Sequence, residues 1–269
     1  MNRHNYKAAL LLCIATLSPS TYATVVEVRT VEGDFQVNLF DEATPQTVEN
    51  FLEYVNSGAY ANNTVHRSAT NFVIQMGGFA YNGAFPPEPI NTGLAVSNEP
   101  ELSNLRGTLA MAKVGGNPDS ATSQFFVNLG DNSANLDVQN GGFSVFGQVI
   151  GDGMDVVERI ADLERFNFGA PFNEIPLRDY SAADASNGVT PDDSNVVIIT
   201  DIVVIDSATV TNPDLNPTPN TLINAPAPTQ PSPSSGGGGA MNLILLLGLG
   251  VISVGRRLSS RKSKHSRLY

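Results

Sequence analysis

Between Thr24 and Asp206 the apolar residues come in short runs broken by glycine and asparagine, and only two stretches carry helical spacing. That pattern restricts the chain to a β-rich body with few helices. Val25–Thr30 alternates weakly, and Gly33 separates it from Phe35–Phe40, which predicts two short strands joined by a glycine-containing turn. Thr44-Pro45 reads as a helix start, with Thr as N-cap and Pro at the first helical position. Val48, Phe51, Leu52 and Val55 then fall at i, i+3, i+4 and i+7, and Gly58 ends the helix. A second helix is expected from about Met154, with Val156, Val157, Ile160 and Leu163 apolar. Asn195–Asp206 holds two apolar runs and reads as a long final strand. Many strands with two helices point to a β-barrel or sandwich with helical caps.

Composition removes several chemistries. The 269 residues carry 15 Lys and Arg against 26 Asp and Glu, a net charge of −11. Within residues 24–206 seven basic residues face 25 acidic ones, and such a body repels phosphate backbones. No nucleic-acid partner is expected. Cys13 is the single cysteine, which excludes a disulfide framework and a cysteine-ligated zinc site. His66 is the one histidine of residues 24–206, and a lone histidine in a strand is more often structural than a base. There is no Gly-x-Ser-x-Gly and no phosphate-binding glycine loop. The carboxylates are scattered through loops and read as a solvated surface, and no spaced cluster among them suggests a metal site.

Both ends read as addresses rather than fold. Residues 1–23 have the order of a secretory signal peptide: basic Arg3 and Lys7, an apolar run from Ala8 to Leu17, and Thr21-Tyr22-Ala23 as a cleavage site. Bulky Leu12 before Cys13 argues against a lipoprotein. Residues 207–239 are rich in Pro, Asn, Thr and Gly and are expected to form a disordered, solvated linker. Residues 240–255 are an apolar transmembrane or sorting segment and residues 256–269 a basic tail, an order that fits a positive-inside segment in the inner membrane. The succession of glycines, apolar run and Arg256-Arg257 resembles the GlyGly-type C-terminal sorting signals of Gram-negative bacteria. That resemblance implies a rhomboid-family sorting protease cutting near Gly236–Gly239; the plain alternative is a tail anchor. The expected location is the periplasm or cell surface, at least transiently anchored.

Three segments of the body carry a more specific pattern. The first is Val65-His66-Arg67 followed by Asn71-Phe72-Val73-Ile74-Gln75-Met76-Gly77-Gly78. The second is Gly107-Thr108-Leu109-Ala110-Met111-Ala112-Lys113. The third is Ser123-Gln124-Phe125-Phe126, followed by Asn135-Leu136-Asp137 and Ser144-Val145-Phe146-Gly147-Gln148-Val149. In order and spacing, over roughly residues 24–206, they resemble the cyclophilin-type peptidyl-prolyl cis-trans isomerases.

The resemblance implies a closed eight-stranded antiparallel barrel capped by two α-helices, with a substrate groove on its outer face. It implies Arg67 as the catalytic arginine, with Phe72 and Gln75 beside it. It assigns Val73, Phe126, Leu136 and Phe143 to the pocket for proline, and Ala112, Lys113 and Gln124 to contacts with the substrate backbone or its flanks. Rotation about an Xaa–Pro bond breaks amide resonance against a barrier of ~18–20 kcal/mol. A guanidinium aimed at the prolyl nitrogen favours the twisted state, in which that nitrogen has gained a lone pair. The chemistry needs no nucleophile, metal or cofactor, and the implied partners are proline-containing polypeptides. The alternative on the same scaffold is a non-catalytic peptide-binding module of the cell envelope.

This sequence departs from the family pattern in places. Asn135 stands where eukaryotic members have Trp, which predicts weak cyclosporin binding, and Phe143 stands for the groove histidine. Lys113 replaces the usual Asn, and Met76 replaces a Gly and is expected to narrow the groove floor. Residues 166–194 read as a long surface loop before the last strand.

Overall fold

The computed structural model describes residues 24–207, 212 and 214–225. The expected signal peptide, the apolar segment 240–255 and the basic tail lie outside the described residues. Among the described residues no helix is long and apolar enough to cross a membrane.

The strands are β1 (Val25–Thr30), β2 (Phe35–Leu39), β3 (Asn63–Thr64), β4 (Arg67–Ala69), β5 (Val73–Met76), β6 (Phe79–Ala80), β7 (Glu88–Pro89), β8 (Thr108–Met111), β9 (Phe125–Asn128), β10 (Val145–Ile150), β11 (Arg165–Phe166), β12 (Ile175–Pro176) and β13 (Ile198–Asp206). Eleven of them form one curled sheet in the order β4-β5-β9-β8-β10-β2-β1-β13-β3-β6-β7, and β11 and β12 form a separate ribbon. The expectation of a mainly β fold holds. The pairing order has two ends, at β4 and β7, so the ladder itself forms a curled half-barrel. The break falls at Val65-His66, where the chain divides its hydrogen bonds between two strands. Val65 N–H donates to Val197 O (3.1 Å), beside β13, while His66 N–H donates to Gln75 O (3.1 Å) on β5.

The helices are α1 (Pro45–Asn56), α2 (Ser133–Leu136), α3 (Gly153–Asp162) and α4 (Ala182–Ser186). The two predicted from periodicity are α1 and α3; α2 and α4 are single turns, too short to show a period. Pro45 does open α1, but Thr44 does not cap it. Its hydroxyl turns back to Phe40 O (3.4 Å), and Glu99 from a distant loop takes the first-turn N–H groups of Gln46 (3.2 Å) and Thr47 (2.8 Å). A carboxylate there also meets the positive end of the helix dipole. Val48, Phe51 and Val55 are buried as their spacing predicts. Phe51 sits 5.5, 5.3 and 5.0 Å from the ring centres of Tyr60, Phe125 and Phe146.

Alternation along the strands sorts side chains into two clusters. Ile74, Met76, Leu109, Met111, Phe125 and Val127 point into the main core with α1 and α3. Val73, Ala110, Ala112 and Phe126, their neighbours one residue away, point to the other face and form a second cluster with Leu136 and Phe143. Met76 therefore fills the core, and does not narrow a groove floor.

Two segments expected to be irregular are packed. Residues 165–177 carry the β11–β12 ribbon, and Phe166, Phe172, Ile175, Leu177 and Tyr180 bury themselves with Tyr81 and Val196 in a third cluster. The expected linker over 207–239 is clipped to the domain through its first part. Pro219 bridges Leu102, with Ser103 N–H on Thr218 O and Asn220 N–H on Glu101 O, both 2.8 Å. The buried Asn220 amide donates to Pro100 O (3.1 Å) and Asp137 O (2.9 Å).

Candidate active site

The outer face of β4, β5, β9 and β8 aligns one row of paired residues. Arg67 lies opposite Gln75, Gln75 opposite Phe126, and Phe126 opposite Ala110. Directly opposed residues share a face of the sheet, so residues far apart in sequence meet here by register alone. Phe72 joins them from the β4–β5 turn, where Asn71 adopts a positive φ of 55° that asparagine tolerates. Leu136 comes from α2 and Phe143 from the loop after it, tied together by Phe143 N–H on Leu136 O (2.8 Å). Below them Asp137 is fully buried and accepts from Asn104 N–H (2.7 Å), Asn104 Nδ2 (3.0 Å) and the Ser103 hydroxyl.

One small cavity is lined by Arg67, Phe72, Val73, Gln75, Ala112, Lys113, Phe126, Leu136 and Phe143. Nine of the ten expected site residues thus meet at one place. The tenth, Gln124, reaches it through Gln75, whose Nε2 donates to Gln124 Oε1 (2.9 Å). Gly78 makes room for that side chain, since a Cβ there would stand 2.6 Å from Gln124 Cδ. Phe126 and Phe143 meet edge to face, 5.8 Å apart.

The two cations of the cavity differ in how they are held. Lys113 is buried, and its Nζ donates to Asn98 Oδ1 (3.0 Å), Asn140 O (3.0 Å) and Gly142 O while lying 4.7 Å from the centre of the Phe143 ring. All three ammonium hydrogens are engaged within the protein, so Lys113 braces the wall where contact with a substrate flank is expected from sequence. Arg67 donates through Nε to Glu174 Oε2 (3.0 Å), while its Nη1 is buried with no hydrogen-bond partner. Burial pushes Lys113 down to about 8, with Asp119 pulling the other way. The folded protein therefore binds fewer protons than the unfolded chain between about pH 8 and the ordinary lysine value of 10.5, so the contribution of this group to stability rises with pH across that window. Denaturant unfolding of wild type and Lys113→Met from pH 7 to 10.5 is expected to show this gain in wild type alone. Parallel curves would mean that Lys113 titrates like a solvated lysine.

His66 lies outside the cavity. It is 1% exposed, with its ring 4.8 Å from that of Phe79, and burial lowers it to about 3, so it stays neutral near pH 7. Among the described residues no cluster of His, Cys, Asp or Glu could hold a metal ion. The site thus offers an apolar dish, one guanidinium with an unused donor, and amides along its edge.

A family model described as cyclophilin type peptidyl-prolyl cis-trans isomerase/CLD matches residues 25–182, more than half of the chain. The chain belongs to this family. This cyclophilin is a peptidyl-prolyl cis-trans isomerase, and its substrates are proline-containing polypeptides. It is 42% identical to the peptidyl-prolyl cis-trans isomerase of Acinetobacter baylyi over 149 residues, 54% of this chain and 76% of that protein. It is likewise 42% identical to peptidyl-prolyl cis-trans isomerase B of Escherichia coli, over 58% of this chain and 94% of that protein. A crystal structure of a Cryptosporidium parvum cyclophilin-type isomerase aligns with 68% of this chain and 98% of its own, at 24% identity and a TM-score of 0.49.

Sequence reasoning about this cyclophilin misses Glu174, which pairs with Arg67, and Asn98 and Asn140, which hold Lys113. None of the three sits in a recognisable motif. Each reaches the site only through the path of a loop.

Proposed function

We propose that Arg67 is the catalytic residue of this isomerase, donating to the prolyl nitrogen as the Xaa–Pro bond twists. The observation that carries this reading is that Arg67 lines an apolar cavity and has a buried Nη1 without a hydrogen-bond partner. Phe72, Val73, Phe126, Leu136 and Phe143 hold the pyrrolidine ring, while Gln75, Gln124 and Ala112 orient the backbone on either side. A fixed donor that meets the lone pair only in the twisted state lowers the barrier without binding either planar isomer more tightly. The pairing of residues 63–69 with β13 at one end and β5 at the other supports reading the sheet as an eight-stranded ring around the main core.

The test is NMR exchange between cis and trans forms of an Ala-Pro peptide with wild type and Arg67→Ala. Loss of exchange with peptide-induced shifts retained is the expected result. Undiminished exchange in the variant would reject Arg67 as the catalytic group.

The isomerase works outside the cytoplasm, on exported polypeptides, with the C-terminal segment holding it to the inner membrane until a rhomboid-family protease acts near Gly236–Gly239. The order of basic, apolar and small residues at both ends supports this part of the reading. N-terminal sequencing of protein recovered from a cell-envelope fraction is expected to begin at Thr24. Recovery from the cytosol with Met1 or Asn2 first would overturn it.

A further inference from the structure

We infer that Glu174 is the positioning residue for Arg67, supplied by the packed segment of residues 165–177. This rests on Arg67 being the catalytic group, and adds what holds it in place. Arginine carries donors on three nitrogens in one plane. Fixing Nε fixes that plane, and with it the direction in which the remaining N–H groups point. Glu174 does this with one carboxylate oxygen 3.0 Å from Nε, leaving the buried Nη1 without a partner.

The main chain of Glu174 is held on both sides. Its backbone carbonyl accepts from the N–H of Ser68 (2.8 Å), the residue next to Arg67, so the two side chains start from neighbouring points. On its other side Ile175 and Leu177 are buried in the cluster formed with Phe166, Phe172 and Tyr180, and the β11–β12 pairing closes the ribbon. Residues 165–177 thus form a packed bracket, and Glu174 stands directly before its second strand, β12. The pair is of little use for stability: the Glu174 side chain is 45% exposed, and ion pairs of that kind contribute little. What the pair does supply is direction. Among the described residues Glu174 is the carboxylate bonded to Arg67, and no second acceptor shares its guanidinium.

Misplacing a catalytic group by about 1 Å can cost about a hundredfold in rate. Glu174→Ala is therefore expected to lower kcat for the Ala-Pro exchange by about ten- to a hundredfold, with KM within about twofold and an unchanged melting temperature. Glu174→Gln, whose amide oxygen still accepts from Nε, is expected to recover most of the rate. The decisive experiment is the double-mutant cycle of Glu174→Ala with Arg67→Ala. In the Arg67→Ala background the Glu174 substitution is expected to change nothing further. An equal loss in both backgrounds would mean that Glu174 acts independently of Arg67, and no loss in either would mean that the bracket does not position it; both outcomes overturn the inference. Full activity of Arg67→Ala alone would instead overturn the catalytic reading beneath it, so the two failures are told apart.

Discussion

Arg67→Lys is expected to slow Ala-Pro exchange by about a hundredfold, nearly as much as the loss of about 10²–10³ expected for Arg67→Ala. Both substitutions remove one preorganised donor from the cavity wall. Lysine keeps the positive charge but has one strongly hydrated nitrogen at the end of a flexible stem. Its three donors all diverge from that one atom, so a lysine bonded to Glu174 has no second nitrogen to place where Arg67 holds Nη1. Arg67 bonds Glu174 through Nε and keeps Nη1 without a partner, which on the proposed reading serves the prolyl nitrogen. Peptide binding should persist in both variants, because the apolar wall of Phe72, Phe126, Leu136 and Phe143 remains. Exchange rates and titrations of the same peptide separate the two effects. A lysine variant within a few-fold of wild type would show that charge alone suffices and that the planar fork is irrelevant.

The largest expected loss of stability is at Phe51. Its ring is fully buried where α1 meets the sheet, and it touches Tyr60, Phe125 and Phe146. Truncating such a residue to alanine removes its transfer free energy and leaves a cavity, together about 3–5 kcal/mol. For a domain of this size that corresponds to a fall in melting temperature of roughly 10 °C. Phe125 packs against this ring with one face of β9, while Phe126 on the other face lines the cavity. Phe51→Ala is thus expected to loosen the cavity only through the whole domain, with exchange near normal well below the melting point. A fall of less than about 3 °C in calorimetry would show that the surrounding rings collapse into the space.

Much of this architecture is legible along the chain, and the reasons for the exceptions are physical. The periods of α1 and α3 are local and place Phe51 in the core, whereas β5, β8 and β9 are buried on both faces, so only the resemblance to the family places Phe126 in the cavity wall. Met76 is misread as a groove residue by matching positions one to one, although alternation next to Gln75 sends it inward. Thr44 has the composition of a cap, but which acceptor a helix end finds depends on tertiary path, and here it is Glu99. The stretch after Asp206 looks solvated because it is rich in proline. It docks through few groups, chiefly the hydrogen bonds of Asn220 and the packing of Leu215 against the cluster behind the cavity. Glu174 is invisible for the same kind of reason: a single carboxylate in a loop has no pattern until the loop is folded.

The pairing of β1 with β13 has a consequence for how the chain acquires this structure. Val28, near the start, is opposite Ile202, near the end, so that ladder closes a longer loop than any other in the sheet. The entropic cost of closure rises with loop length, and such contacts form late. During synthesis β1 has β2 on one side and nothing on the other until residues 198–206 have been made. A chain broken off before them would carry an open edge at Val26 and Val28, both fully buried in the finished molecule, and an open apolar edge is a template for joining other chains. This isomerase thus holds its own first strand half-paired until its last one arrives.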